Sequence, residues 1–293
     1  MSGDLPGSGA SRRRFLPVPY KLRWRPSGVH VGAHPGAEEG GTGQFKRHVP
    51  LLQHPDPRRI DVRMTLRDPM GEVHVRQVAR RNAISLIVLV DLSGSMGFEG
   101  RVGRMPMVAE FCATLALSAY KMGDRFGLIG CEATVREDLY IPPTRRRGLE
   151  VEVFERLLQV EPRGASVRGL ATAGEWLPLQ RSLVFLVSDF LMPVAQIEEI
   201  LDLLWRHDVA PVVMRDAGEE DDLPAWGLIE LRDLETGHRR LAFMRPPLRE
   251  TWLKAGQQRR AELDRLFKQR GRATFHLVDQ LDPDALAEYL LAG

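Results

Sequence analysis

The residue pattern with the clearest chemical meaning is D-L-S-G-S, which directly follows an apolar run at residues 84–90. Asp91, Ser93 and Ser95 recur at intervals of two residues, so one carboxylate and two hydroxyls can face a single point on a tight turn. Gly94 is expected to let the backbone bend between them. Oxygen ligation with few direct carboxylates suits a hard cation, Mg²⁺ or Mn²⁺, that keeps part of its hydration shell.

A second apolar run, residues 183–187, also leads into an aspartate, Asp189. Ligands of doubly wound sheets bind at the carboxyl ends of the strands, so we expect Asp91 and Asp189 to face one site. The alternative is purely structural: Ser93 and Ser95 cap a helix, and Asp91 accepts backbone hydrogen bonds.

The segments that must position these residues alternate between strand and helix. Parallel strands need helical crossovers, so this alternation predicts an α/β fold with a doubly wound, mostly parallel sheet and helices on both faces. Strands are predicted at residues 84–90, 125–131, 183–187, 210–214 and 273–278, with an alternating piece at 135–141. Helices are predicted near residues 105–122, 150–160, 167–177, 194–207, 249–269 and 283–291.

Composition divides the chain into three parts. We predict a disordered segment at 1–14, a basic region rich in loops and short strands at 15–83, and the α/β domain at 84–293, with a hairpin insertion at about 216–248. Residues 1–83 hold 15 Lys and Arg against 7 Asp and Glu, a net charge of +8, and the remainder carries −6. We therefore expect the basic region to dock onto the acidic domain. No spacing typical of a nucleic-acid-binding motif is present.

The composition is that of a soluble globular protein, with 43% hydrophobic and 27% charged residues in 293. Two cysteines, Cys112 and Cys131, lie in apolar runs and are expected to be reduced core residues. No apolar run approaches the roughly 20 residues of a spanning helix, and no secretory signal begins the chain. The expected location is the cytoplasm, without membrane insertion.

The D-x-S-x-S pattern after an apolar strand resembles the metal-ion-dependent adhesion site of von Willebrand A domains. In that family a threonine from a third loop completes the shell, and Ser166 stands at the matching place here. The resemblance implies that Ser93 and Ser95 bind the metal directly, Asp91 and Asp189 mainly through water, and Ser166 directly or through water. It also implies an open coordination position for a carboxylate from a partner protein.

The chain also resembles the bacterial DUF58 proteins, which join a von Willebrand A domain to a preceding basic region. The matching blocks include G-x-H-x-G-x-H at residues 28–34, R-x-I-D around Asp61, and the insert at 222–237. Val62 replaces the tryptophan usual in that family, and its common membrane helices are missing. Such proteins are similar to partners of MoxR-type AAA+ ATPases, and the blocks resemble most the MxaS type that accompanies methanol dehydrogenase maturation.

The sequence therefore favours a metal-dependent adaptor that binds a protein carboxylate and is not an enzyme. One alternative is a metal-dependent hydrolase that uses Asp91 and Asp189, although neither loop offers a suitable general base. A phosphate-binding G-x-x-x-x-G-K-[ST] loop and a G-x-S-x-G nucleophile elbow are both missing from the sequence. A third alternative is a protein that binds anionic surfaces through residues 12–25.

Overall fold

The computed structural model describes residues 15–26, 31–164, 166–219, 223–232, 234 and 238–292. The segment predicted to be disordered, residues 1–14, lies outside the described residues, as does the tip of the predicted hairpin at 235–237. In the described part of the chain, no helix combines the length and the apolar character needed to cross a membrane.

A six-stranded sheet forms the centre of the molecule. Its strands are β3 (Ser85–Asp91), β4 (Arg125–Cys131), β5 (Val135–Thr144), β6 (Leu183–Ser188), β7 (Asp208–Arg215) and β10 (Phe275–Val278). They lie in the order β10-β7-β6-β3-β4-β5, and all neighbours are parallel except β4 and β5. The chain reverses direction along the sheet after β4 and β5, because β6 returns to the other side of β3.

Helices cover both faces of this sheet. They are α2 (Arg104–Met122), α3 (Leu149–Leu158), α4 (Arg168–Thr172), α5 (Val194–Leu203), α6 (Pro246–Gln269) and α7 (Pro283–Ala292). The core on one face takes side chains from α2, α3 and α7, and the core on the other from α4, α5 and α6. The predicted doubly wound α/β class is confirmed, and the arrangement is consistent with a von Willebrand A-like fold.

The burial of β3 explains why residues 84–90 form a continuous apolar run. All seven of its residues are buried, and its side chains alternate between the two cores. Val88 and Val90 belong to the core of α2, α3 and α7, whereas Ile87 and Leu89 belong to the opposite core. A strand covered on both faces has no polar side, which explains the absence of polar alternation in its sequence. Cys112 and Cys131 are likewise buried, with free thiols.

The region before β3 contains a second, two-stranded antiparallel sheet of β1 (Val31–Pro50) and β2 (His74–Asn82), with the short helix α1 (Val62–Thr65) between them. β1 has 20 residues and is longer than the short strands predicted from the sequence. Its pairing with β2 shifts register at four points. These irregularities interrupt the two-residue periodicity, so the sequence carries no regular strand signal.

The segment at residues 15–26 packs into the core of the α/β domain. Val18 and Tyr20 are 3% exposed, and the Val18 backbone N–H donates to the Ser118 hydroxyl at 2.8 Å. The Tyr20 hydroxyl donates to the buried carboxylate of Asp124, which also contacts His34 Nε2 at 2.7 Å. Burial and the charge of Asp124 raise the pKa of Tyr20 well above its usual value.

Asp124 therefore joins three parts of the chain, because its second oxygen accepts from the Ile84 backbone N–H at 2.9 Å. We expect Asp124→Asn to lower the free energy of unfolding by about 2–3 kcal/mol, since an amide cannot accept all three hydrogen bonds. The exposed Asp138→Asn, which removes a surface ion pair with Arg136, should change it by less than about 0.5 kcal/mol. Urea denaturation of both variants tests this. Equal effects would show that the network contributes no more than a surface pair.

Candidate metal centre

The structure brings Asp91 and Asp189 together at one edge of the central sheet. β3 and β6 are parallel neighbours with Val90 opposite Val187, and both aspartates stand where these strands end. Asp91 is completely buried and Asp189 is 6% exposed. Burial, and then the negative charge of Asp189, raise the pKa of Asp91 to about 6. The charge of Asp189 thus opposes the ionisation of Asp91, and a cation bound by the two carboxylates would relieve that opposition.

Protein donors hold both oxygens of Asp91. Oδ1 accepts from the Ser93 backbone N–H at 2.9 Å, and Oδ2 accepts from the Ser188 hydroxyl at 2.6 Å. The orientation of this carboxylate is therefore fixed by the loop after β3 and by the last residue of β6. Ser188 was not identified from the sequence, since nothing local distinguishes it from an ordinary buried strand residue.

Arg104 supplies a positive charge to the same site. Its side chain is 2% exposed, and Nη1 donates to Asp189 Oδ2 at 2.5 Å and to the Ser95 carbonyl at 2.6 Å. Arg104 was not predicted from the sequence as a site residue, although one signal was present. Arg104 begins α2, where the helix dipole disfavours a cation and no acidic residue lies in the first turn. A cation at that position indicates a compensating anion elsewhere in the fold.

Ser93 and Ser95 present their hydroxyls to each other. The two Oγ atoms are 3.2 Å apart, and both residues are buried. Ser93 precedes the 3₁₀ helix at Gly94–Gly97, yet its side chain makes no capping hydrogen bond to that helix. Helix capping therefore does not account for Ser93, although Asp91 does accept a backbone hydrogen bond, as the structural alternative expected.

Gly94 is required by close packing and not by an unusual backbone angle, since its φ is not positive. A Cβ atom there would lie 2.4 Å from the Leu234 carbonyl oxygen and 3.0 Å from that of Gly164. The Gly94 backbone N–H donates to the same Gly164 oxygen at 2.8 Å. The loop after β3 thus meets both the third loop and the turn of the inserted hairpin.

Ser166 lies on the third loop at the start of α4. The loop is anchored beside the site by the Gly94–Gly164 hydrogen bond, and by the Arg163 backbone N–H, which donates to the Leu92 carbonyl at 3.2 Å. The Ser166 hydroxyl accepts from the Arg168 backbone N–H at 3.3 Å. Among the described residues, no hydrogen bond joins Ser166 to the other four predicted ligands, whereas those four are connected through Ser188 and Arg104.

The donor set of this site consists of oxygens, from two carboxylates and at least two hydroxyls. That set has the chemistry of a hard divalent cation and lacks the thiolates or imidazoles that select softer metals. A different group of potential ligands, Asp68, Glu72 and His74, lies at the start of β2 and in the segment before it, with the ligand atoms within 4.8 Å of one another. This second group was not predicted from the sequence.

Comparison with known proteins places the chain in a family. The family profile described as "Protein of unknown function DUF58" matches residues 54–262. The chain belongs to the DUF58 family. The matched range contains all five predicted ligand residues.

Relatives of this DUF58 protein include an uncharacterized protein of Mycobacterium tuberculosis, 26% identical over 287 residues, which are 96% of this chain and 87% of that protein. An uncharacterized protein in the moxR 3′ region of Paracoccus denitrificans is 35% identical over 95 residues, 32% of this chain and 90% of that protein. The crystal structure of the conserved hypothetical protein BatB from Bacteroides thetaiotaomicron matches with a TM-score of 0.42 and 13% identity, over 71% of this chain and 97% of that one.

The raised pKa of Asp91 has a measurable consequence for this DUF58 protein without metal. The folded state binds the Asp91 proton more tightly than the unfolded state does, so the associated destabilisation is absent below about pH 4 and complete above about pH 6. We expect the wild type in EDTA to lose up to about 3 kcal/mol relative to Asp91→Asn as the pH rises through this range. Urea denaturation at pH 4 to 7.5 measures the difference. Parallel pH profiles for the two proteins would show that Asp91 ionises normally.

Proposed function

We propose that this DUF58 protein is a cytoplasmic, metal-dependent adaptor that binds a partner protein and is not an enzyme. Mg²⁺ or Mn²⁺ would be held directly by Ser93 and Ser95, directly or through water by Ser166, and through water by Asp91 and Asp189. The observation that carries this proposal is the pair of buried serine hydroxyls 3.2 Å apart, in the loop that follows Asp91, whose pKa is raised by burial and by the charge of Asp189.

The formal charges of the site favour an acidic partner. Two carboxylates and the Arg104 guanidinium leave one net negative charge, so a divalent cation would change the sign to one net positive charge. Neutral hydroxyls as direct ligands withdraw little of that charge. An anionic oxygen is then the donor most strongly attracted to an open coordination position, and on a protein surface it comes from Asp or Glu.

An exposed apolar surface on the inserted hairpin supports protein binding. The inserted hairpin consists of β8 (Gly227–Arg232) and β9 (Arg239–Met244). The Leu234 carbonyl, in the turn of the hairpin, packs closely against Gly94 in the loop after β3. Leu228 lies opposite Phe243 on one face of the hairpin, and both are more than half exposed. Apolar side chains grouped in this way are typical of a contact surface.

The partner that we propose is a MoxR-type AAA+ ATPase or a client protein that such an ATPase acts on. The Paracoccus denitrificans relative lies in a moxR 3′ region, which supports a shared pathway. The broader role would be maturation of, or metal insertion into, an enzyme complex such as methanol dehydrogenase.

The hydrolase alternative receives less support from the site. A pKa near 6 is suitable for a general base, but each oxygen of Asp91 already accepts a hydrogen bond from the protein. Both oxygens of Asp189 are engaged too, by Arg104 and by the Leu191 backbone N–H at 3.2 Å. These contacts fix both carboxylates as hydrogen-bond acceptors, which is the role of a metal ligand that acts through water.

The first test concerns the metal itself. We expect the double variant Ser93→Ala, Ser95→Ala to lose saturable Mg²⁺ and Mn²⁺ binding in isothermal titration calorimetry, because both direct hydroxyl ligands are removed. Ser85→Ala is the matched control, since Ser85 is a buried serine at the opposite end of the same strand. Unchanged binding by the double variant would place the metal elsewhere, with the group Asp68, Glu72 and His74 as the alternative site.

The second test concerns the partner. A pull-down with a MoxR-type ATPase is expected to require Mg²⁺, to be abolished by EDTA, and to weaken at least about tenfold in Asp189→Asn. Replacement of Arg145, Arg146 and Arg147 by Ala should leave it unchanged, because these residues lie in the loop after β5. Metal-independent binding that the triple replacement abolishes would refute a metal-bridged interface and locate the contact on that loop. Asparagine is chosen because it retains a hydrogen-bond acceptor for Arg104.

A further inference from the structure

A cleft of about 400 Å³ lies at the opposite edge of the central sheet, where β6, β7 and β10 begin. Four arginines line it: Arg23 from the amino-terminal segment, Arg181 before β6, and Arg270 and Arg272 before β10. The carboxylate lining the cleft is that of Asp208, at the start of β7. Its volume is in the range of sites that hold small molecules.

The arginines of this cleft are only partly neutralised. Asp208 contacts Arg272 Nη2 at 2.6 Å and Arg23 Nη1 at the longer distance of 3.8 Å. Arg270 pairs with Asp202 at the rim. Arg181 lies over the Trp24 ring, 4.9 Å from its centre, and has no carboxylate partner among the described residues. Two carboxylates therefore face four guanidinium groups.

Arg272 forms part of the cleft wall and is held there by Asp208. It is 6% exposed, and within the described structure its Nε is buried without a hydrogen-bond partner. That nitrogen is closed to solvent, so a ligand in the cleft would contact the more exposed guanidinium groups of Arg23 and Arg181. The pKa of the neighbouring His207 is lowered by burial and by the positive charges of Arg206 and Arg181, which shows that this region is electropositive.

We propose that this cleft binds a ligand through a phosphate group. Guanidinium groups bind phosphate through paired, charge-assisted hydrogen bonds, and several arginines converging on one cleft match the multiple charged oxygens of a phosphate better than a single carboxylate. Trp205 also lines the cleft and is 73% exposed, so an aromatic ring attached to the phosphate has a surface on which to stack. This site is separate from the metal centre and does not depend on it.

Titration calorimetry with the full chain in EDTA tests the proposal, and EDTA removes any contribution from the metal centre. Pyrophosphate and ADP are the two probes. We expect saturable one-to-one binding of both, weakened at least about tenfold by Arg181→Gln and by Arg23→Gln, each of which removes a charge-assisted hydrogen bond. These two arginines are more exposed than Arg272, and their replacement should leave the fold intact.

Arg265→Gln is the matched control, because Arg265 is exposed on α6 and does not line the cleft. Its affinity should stay within about twofold of the wild type. If ADP binds more tightly than pyrophosphate and Trp205→Ala removes that difference, the ligand is a nucleotide. If the two probes bind with equal affinity, the cleft recognises the phosphate group alone. Both outcomes support the proposal. Absence of saturable binding up to about 10 mM, or equal weakening by Arg265→Gln and Arg181→Gln, would overturn it.

Discussion

Two buried carboxylates lie where the neighbouring strands β3 and β6 end, and the surrounding structure must stabilise their negative charge. The register of β3 and β6 sets Asp91 opposite Ser188, the residue before Asp189, and burial together with the charge of Asp189 disfavours the ionisation of Asp91. Arg104 compensates Asp189 from the first turn of α2, and Ser188 holds Asp91 from the end of β6. The start of α2 and the ends of β3 and β6 are therefore joined by ion pairing and hydrogen bonds as well as by apolar packing. These contacts allow charged side chains to be buried at this edge of the sheet.

Much of this arrangement could be predicted because its signals are local. Buried parallel strands require continuous apolar runs, and β4 has the bounds expected from the sequence, at residues 125–131. An aspartate directly after such a run must lie at the carboxyl edge of the sheet, which is why Asp91 and Asp189 were placed at one site before any distance was known. The helices were likewise evident from their apolar periodicity, although α5 ends at Leu203 and leaves the residues before β7 as a turn.

The rest depends on distances that the sequence does not encode locally. Arg104 and Asp189 are 85 residues apart, and the arginines that meet in the cleft come from three separate segments. Gly94 could be identified as special, but the reason assigned from sequence was backbone bending, whereas the reason in the structure is the approach of two carbonyl groups. Ser166 was assigned by resemblance, and its hydrogen bond to Arg168 is a local contact that leaves its role as a ligand to be tested.

The two edges of the central sheet have opposite chemistry, which bears on how an adaptor of this kind would work. Carboxylates and hydroxyls gather where β3 and β6 end, and guanidinium groups gather where β6 and β7 begin. β6 connects the two regions and is buried along its whole length, and the described structure shows it in a single arrangement. Coupling between distant sites requires an element with two arrangements. We therefore expect the two edges to bind independently, which would allow one chain to hold an acidic partner at the metal and a phosphate-bearing ligand at the opposite edge at the same time.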